Sequence, residues 1–574
     1  MKLSLNSFFH AIGFALHKCK FDNIFLKVKQ YKILDALMSG RDVIGVLPTG
    51  YGKSIIYQLL PFIYEYHSKN ESSNIVIVVS PLNALMNDQV KFLRSKGVSA
   101  GMFKTKQAQK TPKDETNNDS DSASDESDYE EDAGNELLPI HQGKFRILFI
   151  HPEGFISCRE GRNVFLNDTY QKNVVCSVID EAHLVEEWGG KFRLDFRKLC
   201  QLRALFPSTP ILALTASAPP KNIALLISSL QLQNPLKVIG NLDRQNIYIK
   251  VCKRKSSVFG TESYEEILSP IAEELKTKLL NYPLTIIYLP LKWCGYAFKL
   301  FSQILQEKSF FPASEKGQPS QCLFAQFHAA QTDRMKSEIL NQLTGACETR
   351  NLCVVFATVA LGLGVNIPDV RQIIHIGPPR TVESYYQEIG RAGRDGKLAK
   401  AILYYNGSDI ATNVSGMTDE MRAFCSTVKS CLREYMLNYL GSTRLHKYLP
   451  HSCCSNCAIK CKCKKCQDMT SQLELSGDTV TETPTKLNQV RDVSKAERDM
   501  LIIRMKKYRL ELGHKYCQFG SIDLNTGFTL AVIDSIASQA NMISTAEQMF
   551  KMFPMWNEEH AIACMQIIKD VCGE

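Results

Sequence analysis

Short apolar runs recur along the chain with helix-like stretches between them, and this alternation restricts the fold more than any other feature. The first set is Asp42–Leu47, Ile75–Val79, Ile147–Ile150, Val174–Ile179 and Ile211–Leu214. The second is Leu284–Leu289, Leu323–Ala325, Leu352–Phe356, Ile373–Ile376 and Ala401–Tyr405. Strands that are apolar on both faces belong inside a parallel sheet, because only there do helices cover both sides. The pattern predicts an α/β fold with two parallel sheets, joined near Gly240–Ser269. The first lobe is placed at 1–240 and the second at 270–417. A chain of 574 residues has room for both and for further modules, since one core seldom grows past roughly 250–300 residues.

Three regions stand apart. Thr105–Glu136 is acidic, Ser-rich and poor in apolar residues, and reads as a disordered insertion. Thr418–Gln467 is helical and then dense in cysteine. A polar linker, Asp468–Ser494, leads to a helical tail, Lys495–Glu574. Within the tail, basic Lys495–Leu512 reads as a solvated amphipathic helix, and Phe528–Ala540 and Thr545–Phe553 as short helices.

Charge and cysteine usage narrow the class. The net charge of +9 conceals an asymmetry, because residues 111–136 hold eleven acids and one base, Lys113. Without that segment 67 bases face 48 acids, a surplus of +19 that suits a polyanion partner. No run reaches the roughly 18 apolar residues of a membrane span, so no membrane association is expected. The Asn6–Leu16 run is broken by His10 and lacks a small-residue cleavage site, so it reads as a helix and not a signal peptide. Of twenty cysteines, eight fall between Cys425 and Cys466, which favours a metal site in a reducing compartment over a disulfide framework.

The first apolar run leads into Leu47-Pro48-Thr49-Gly50-Tyr51-Gly52-Lys53-Ser54, and a helix, Ile55–Tyr66, follows. In such a strand–loop–helix turn, Thr49, Gly50 and Gly52 let backbone N–H groups approach phosphate oxygens. Lys53 is suited to the β/γ-phosphates and the Ser54 hydroxyl to Mg²⁺. The fourth run ends in Asp180-Glu181-Ala182-His183. Ligands of open α/β sheets gather at the carboxyl ends of strands, so these carboxylates are expected to face the phosphate loop. Asp180 is placed to hold Mg²⁺, and Glu181 to orient or deprotonate an attacking water. The second sheet carries Gln387-Glu388-Ile389-Gly390-Arg391-Ala392-Gly393-Arg394-Asp395-Gly396, whose arginines can neutralise charge on a transferring phosphoryl group.

These residues resemble the RecQ family of superfamily 2 DNA helicases, over roughly residues 20–467. Leu26-Lys27-Val28-Lys29-Gln30 is similar to the family's adenine motif, usually Phe-Arg-x-x-Gln, and marks Lys27 and Gln30 as nucleotide contacts. Asp180–His183 is similar to its second nucleotide motif, which adds His183. Ser80–Val90 resembles a strand-contacting motif, with Ser80, Pro81, Asn83 and Gln89 as candidates for DNA. Ala213–Ala218 resembles the segment that couples hydrolysis to DNA. In Ala357–Asn366, Thr358 is the DNA candidate and Gly364 the nucleotide candidate; Gln387, Arg391 and Arg394 complete the catalytic set. The loop Glu187–Arg193 resembles the aromatic-rich sensor of single-stranded DNA, with Trp188, Phe192 and Arg193, and has Gly190-Lys191 where the family has His-Asp.

The resemblance also implies a zinc-binding helical platform at 418–467, with Cys431, Cys454, Cys457 and Cys461 as the zinc ligands. Lys460 stands where the family's fourth cysteine would be. Cys461 is its nearest replacement, Cys463 and Cys466 are rivals, and Cys453 is an alternative to Cys454. The implied fold is two RecA-like parallel-sheet lobes, a zinc platform and a small helical tail. The implied activity is ATP-dependent 3′→5′ unwinding, with ATP, Mg²⁺ and Zn²⁺ as cofactors. Its partners would be single-stranded DNA and duplex with a 3′ tail, its compartment the nucleus, and the acidic insertion or the tail a contact for another protein.

Overall fold

The computed structural model describes residues 5–21, 24–68, 74–80, 83–103, 138–156, 158–184, 199–256, 260–312, 319–345, 350–362, 367–445, 450–461, 463, 491–516, 522, 526–553, 555 and 557–573. The acidic insertion and the 468–490 part of the linker lie outside them. Two compact units are present: Met1–Asp243 with Leu437–Leu445, and Arg244–Met436 with His446–Glu574.

The first unit is built on seven strands: β1 (Val43–Val46), β2 (Ile75–Val79), β3 (Ala100–Phe103), β4 (Ile147–Ile150), β5 (Val174–Ile179), β6 (Ile211–Thr215) and β7 (Leu236–Ile239). They pair in parallel in the order β3-β4-β2-β5-β6-β1-β7. The five apolar runs of the sequence become the five inner strands, whose side chains are buried almost without exception. The helix Leu5–Lys18 buries Phe8, Ala11, Ile12 and Ala15, which lie on one face at helical spacing, in the core shared with helix Lys53–Ser68.

The second unit has six strands: β8 (Ile247–Lys253), β9 (Thr285–Tyr288), β10 (Phe324–Phe327), β11 (Val354–Ala357), β12 (Gln372–Ile376) and β13 (Ala399–Tyr405). They are also all parallel, in the order β10-β11-β9-β12-β13-β8. Strand β8 comes from the stretch read as a junction, so this sheet takes its edge strand from residues ahead of 270.

Beyond the second sheet, Arg433 is fully buried and ties helix Leu432–Tyr439, which follows Cys431, to β8. Its guanidinium donates to the carbonyls of Arg244 (2.8 Å), Cys453 (3.3 Å) and Ile247. The tail has a core of its own, formed by Leu501 and Met505 of helix Lys495–Tyr516, Val532, Ile533 and Ile536 of helix Leu530–Gln539, and Cys564 and Ile568 of helix Glu558–Cys572. The Lys495–Leu512 segment packs Leu501, Met505 and Leu512 into this core and leaves most of its other positions exposed, the two-sided character of an amphipathic helix. The tail meets the second lobe where Thr261 donates to the Lys551 carbonyl through its N–H (2.9 Å) and hydroxyl (3.2 Å). Among the described residues no helix is long and apolar enough to cross a membrane.

Candidate functional site

The site of the first unit forms at the carboxyl ends of three neighbouring strands, β5, β6 and β1. After β1 the chain turns through Pro48–Gly52 and enters helix Lys53–Ser68, whose first N–H groups have no partner within the helix. Gly50 and Gly52 have φ of +77° and +87°, where a Cβ is strained. The loop is held from the side by Gln30, which is buried. Its Nε2 donates to the carbonyls of Gly52 (2.8 Å) and Tyr51 (3.2 Å), and its Oε1 accepts from the Lys27 N–H (2.6 Å). The Lys27 ammonium donates to the Tyr51 carbonyl at 3.2 Å and lies 4.4 Å from the centre of the Tyr51 ring. Partial burial lowers its pKa. Lys27 and Gln30, singled out as nucleotide contacts, are here also the brace of the phosphate loop.

Asp180 follows β5 directly. Its carboxylate accepts from the Glu181 N–H at 3.0 Å, and its own N–H donates to Val79 at 3.0 Å. Burial and then the neighbouring Glu181 raise the Asp180 carboxyl to about 7, against the pull of Lys53. A buried carboxylate of this kind gains from a cation, and with the Ser54 hydroxyl the donors are all oxygen, which fits a hard ion such as Mg²⁺. Glu181 adopts φ +48°, a conformation that costs a non-glycine residue about 1–2 kcal/mol. In that conformation its carboxylate sits 3.5 Å from His183 Nδ1. The same nitrogen is 3.2 Å from the Thr215 hydroxyl at the end of β6, and that hydroxyl donates to the Ser217 carbonyl at 2.9 Å. His183 Nδ1 is therefore the protonated nitrogen and donates to Thr215. Burial lowers the His183 pKa and keeps the ring neutral. Hydrogen bonds thus link His183 through Thr215 to Ser217, with the Glu181 carboxylate beside the same imidazole nitrogen.

The candidate DNA residues are less gathered. Ser80 is buried, and its N–H extends the sheet by donating to Ile150. Gln89, a candidate for DNA, is half-buried and accepts from Gln58 Nε2 at 2.9 Å inside the first unit. Helix Asn83–Ser95 turns that residue toward helix Lys53–Ser68, where it satisfies the buried amide of Gln58. Pro81, the side chain of Asn83, Trp188, Phe192, Arg193 and Gly364 lie outside the described residues. Thr358 directly follows β11, and its N–H donates to Phe327 at 3.2 Å.

In the second unit, helix Val382–Ile389 carries Gln387, and the turn after it carries Arg391 and Arg394. Arg391 is buried beside Tyr288, whose phenol burial pushes up to about 12 against the pull of that guanidinium. The turn is clamped by residues that local sequence did not reveal. Arg244 donates to the carbonyls of Gly390 (3.0 Å), Ala392 (2.9 Å) and Gly393 (3.0 Å), and Asn246 donates to Gly393 at 2.7 Å. Below it, His375 and Glu388 form a buried pair at 2.7 Å, with Tyr288 stacked on the imidazole. A histidine inside the apolar strand Gln372–Ile376 was the visible signal; nothing around Arg244 announced its role.

The sulfurs of Cys431, Cys453, Cys454 and Cys457 converge, all within 4.8 Å of one another. Cys431 lies 3.6 Å from Cys453 and 3.9 Å from Cys454, and tetrahedral zinc with 2.3 Å bonds separates its sulfurs by about 3.8 Å. The four thiols fit zinc. Their mutual hydrogen bonds push Cys453 up and pull Cys454 down. Cys461, expected as the fourth ligand, is not among them: it follows the end of helix Ser455–Ile459 and lies by His451. Cys453 takes its place: it ends helix Pro450–Cys453, Cys454 precedes helix Ser455–Ile459, and Cys457 follows within that helix.

Two family models match the chain, DEAD/DEAH box helicase over residues 27–226 and helicase conserved C-terminal domain over residues 298–396. ATP-dependent helicase SGS1 of Saccharomyces cerevisiae is 29% identical over 75% of this chain and 27% of its own length. ATP-dependent DNA helicase RecQ of Haemophilus influenzae is 29% identical over 75% and 60%. Probable ATP-dependent DNA helicase RecS of Bacillus subtilis is 31% identical over 66% and 63%. The chain thus spans less than two thirds of the length of these relatives. Among solved structures, Mss116p bound to ssRNA and AMP-PNP matches with a TM-score of 0.52 at 16% identity, over 94% of this chain and 92% of that one. The helicase MrfA bound to DNA matches with a TM-score of 0.50 at 18% identity, over 71% and 52%; both are likenesses of fold. Helicase motifs set in order on two parallel sheets, with RecQ, RecS and SGS1 helicases matching two thirds to three quarters of this chain, place it in the RecQ family of superfamily 2 helicases.

Proposed function

We propose that the chain is an ATP-dependent DNA helicase that couples hydrolysis to 3′→5′ movement along single-stranded DNA and to separation of duplex ahead of it. The observation that carries this reading is the cluster of Glu181, His183 and Thr215, which brings the hydrolytic carboxylate to the segment Ala213–Ala218. The names of the relatives, ATP-dependent DNA helicases among them, support DNA as the track. Lys53 and the loop N–H groups bind the ATP phosphates. Ser54 and Asp180 would hold Mg²⁺, which would supply charge neutralisation for the phosphates. Glu181 orients and deprotonates the attacking water, and His183 keeps that carboxylate in register with Thr215. Arg391, Arg394 and Gln387 serve the hydrolytic step, the arginines by neutralising charge. Cys431, Cys453, Cys454 and Cys457 would hold Zn²⁺, which would staple the helices after the second sheet. A nuclear address belongs to the same reading and is tested by imaging a tagged chain in cells.

The decisive assay is separation of a short duplex carrying either a 3′ or a 5′ single-stranded tail, with Lys53→Ala as control. Opening of only the 3′-tailed substrate, lost in the variant, supports the proposal. ATP hydrolysis stimulated by single-stranded DNA with neither duplex opened reduces it to a DNA-stimulated translocase or ATP-switched clamp.

A further inference from the structure

The cysteine-rich stretch holds a second set of metal-type donors. His451, Cys461 and Cys463 present one imidazole nitrogen and two sulfurs, all within 4.8 Å of one another, separately from the four thiols of the first cluster. Cys463 Sγ is 3.2 Å and Cys461 Sγ 3.6 Å from the same atom, His451 Nδ1. That geometry is redundant as a hydrogen-bond network. A neutral imidazole nitrogen has one lone pair, so a hydrogen bond to it accounts for one of the two sulfurs that converge on it and not for both. Thiols are weak donors, and all three residues are half-buried, where water offers a better partner. Packing does not explain the arrangement either, because a thiol kept for its bulk is normally buried outright.

Around a single ion the same arrangement is economical. Zinc with a nitrogen ligand at about 2.05 Å and sulfur ligands at about 2.3 Å, in tetrahedral disposition, separates nitrogen from sulfur by about 3.6 Å. Both contacts lie near that value. Imidazole with two thiolates is a borderline-soft donor set that suits zinc and disfavours magnesium or calcium. We infer that His451, Cys461 and Cys463 bind a second zinc ion, so that the chain carries two. Helix Pro450–Cys453 then places one ligand in each site, His451 in the second and Cys453 in the first. The second ion pins the chain that leaves helix Ser455–Ile459 back onto the helix that begins the stretch.

The experiment is zinc quantitation on the purified full chain after extensive dialysis, with thiols counted in parallel under denaturing conditions. Wild type is expected to hold two equivalents, Cys461→Ser/Cys463→Ser one, and Cys453→Ser one, with His451→Gln losing the same equivalent as the double variant. Cobalt(II) exchange gives a readout independent of activity: the bands of the second site disappear in Cys461→Ser/Cys463→Ser and persist in Cys453→Ser. One equivalent in wild type that is unchanged in Cys461→Ser/Cys463→Ser overturns the inference. So does a missing pair of free thiols in wild type that is restored by reductant without zinc uptake, which makes Cys461 and Cys463 a redox pair. The two sites are read separately, so failure at the second leaves the four-thiol site standing, and the reverse also holds.

Discussion

Gln30 donates from its side-chain amide to the carbonyl of Gly52 at 2.8 Å, and a Cβ on Gly52 would stand 2.8 Å from that same nitrogen. The glycine that gives the phosphate loop its left-handed turn and the glutamine that braces it are thus fitted to each other. Gln30→Ala removes three hydrogen bonds, of which the two to the loop carbonyls are worth together about 2 kcal/mol, and should weaken ATP binding roughly 30-fold with the fold intact. Gly52→Ala should do more, because it collides with Gln30 and is strained at its φ. Titration with a fluorescent ATP analogue, with circular dichroism as a folding control, reads both; equal affinity for wild type and Gln30→Ala removes the bracing role.

Glu181 is held by a strained backbone beside a neutral histidine, which suits a residue that must act on water at one position. Glu181→Gln should leave ATP affinity within a few-fold of wild type and lower turnover by on the order of 10²–10⁴. Single-turnover hydrolysis with a binding titration tests this, and unchanged turnover sinks the assignment.

The Thr215 hydroxyl accepts from His183 and donates to Ser217, so it links the histidine beside the Glu181 carboxylate to the segment beyond β6. Thr215→Val keeps the shape and removes both bonds. Basal hydrolysis should persist while its stimulation by single-stranded DNA falls at least tenfold, and Thr215→Ser should restore it. Loss of basal and stimulated rates in equal proportion would point to simple misfolding of the loop.

Arg244 holds three carbonyls of the turn that carries Arg391 and Arg394. Arg244→Met should lower kcat about 10–100-fold at nearly constant KM for ATP, since what is lost is the positioning of charge used in the transition state. Arg244→Lys should not rescue it, because an ammonium cannot reproduce a planar fork on three acceptors. A KM effect larger than the kcat effect contradicts the positioning role.

Strands β3 and β4 pair along Ala100–Phe103 and Ile147–Ile150, on either side of the acidic 105–136 stretch. Their register does not require that stretch, so its deletion should leave thermal stability within about 1 kcal/mol and ATP hydrolysis unchanged. An unchanged affinity for single-stranded DNA discards nucleic-acid mimicry by the acidic residues, whereas tighter binding supports it.

What the sequence determined by itself is the interior. Strands such as Ile75–Val79 and Val354–Ala357 are covered on both faces, so every position must be apolar and the run is legible without context. The phosphate loop and Asp180–Glu181 were legible for a related reason, since their chemistry is carried by neighbours in the chain. The strands that escaped, β3, β7 and β8, are all edge strands; Leu236–Ile239 and Ile247–Lys253 mix exposed and buried positions, and Gly101 interrupts the first. Only the tertiary structure could decide the rest, because it depends on partners distant in sequence. Gln89 turns to Gln58, Arg244 clamps a turn about 150 residues away, and Cys453 displaces Cys461 from the four-thiol set. Each outcome is set by where packing aims a side chain, and a donor or a thiol takes whichever partner the fold brings within about 3–4 Å.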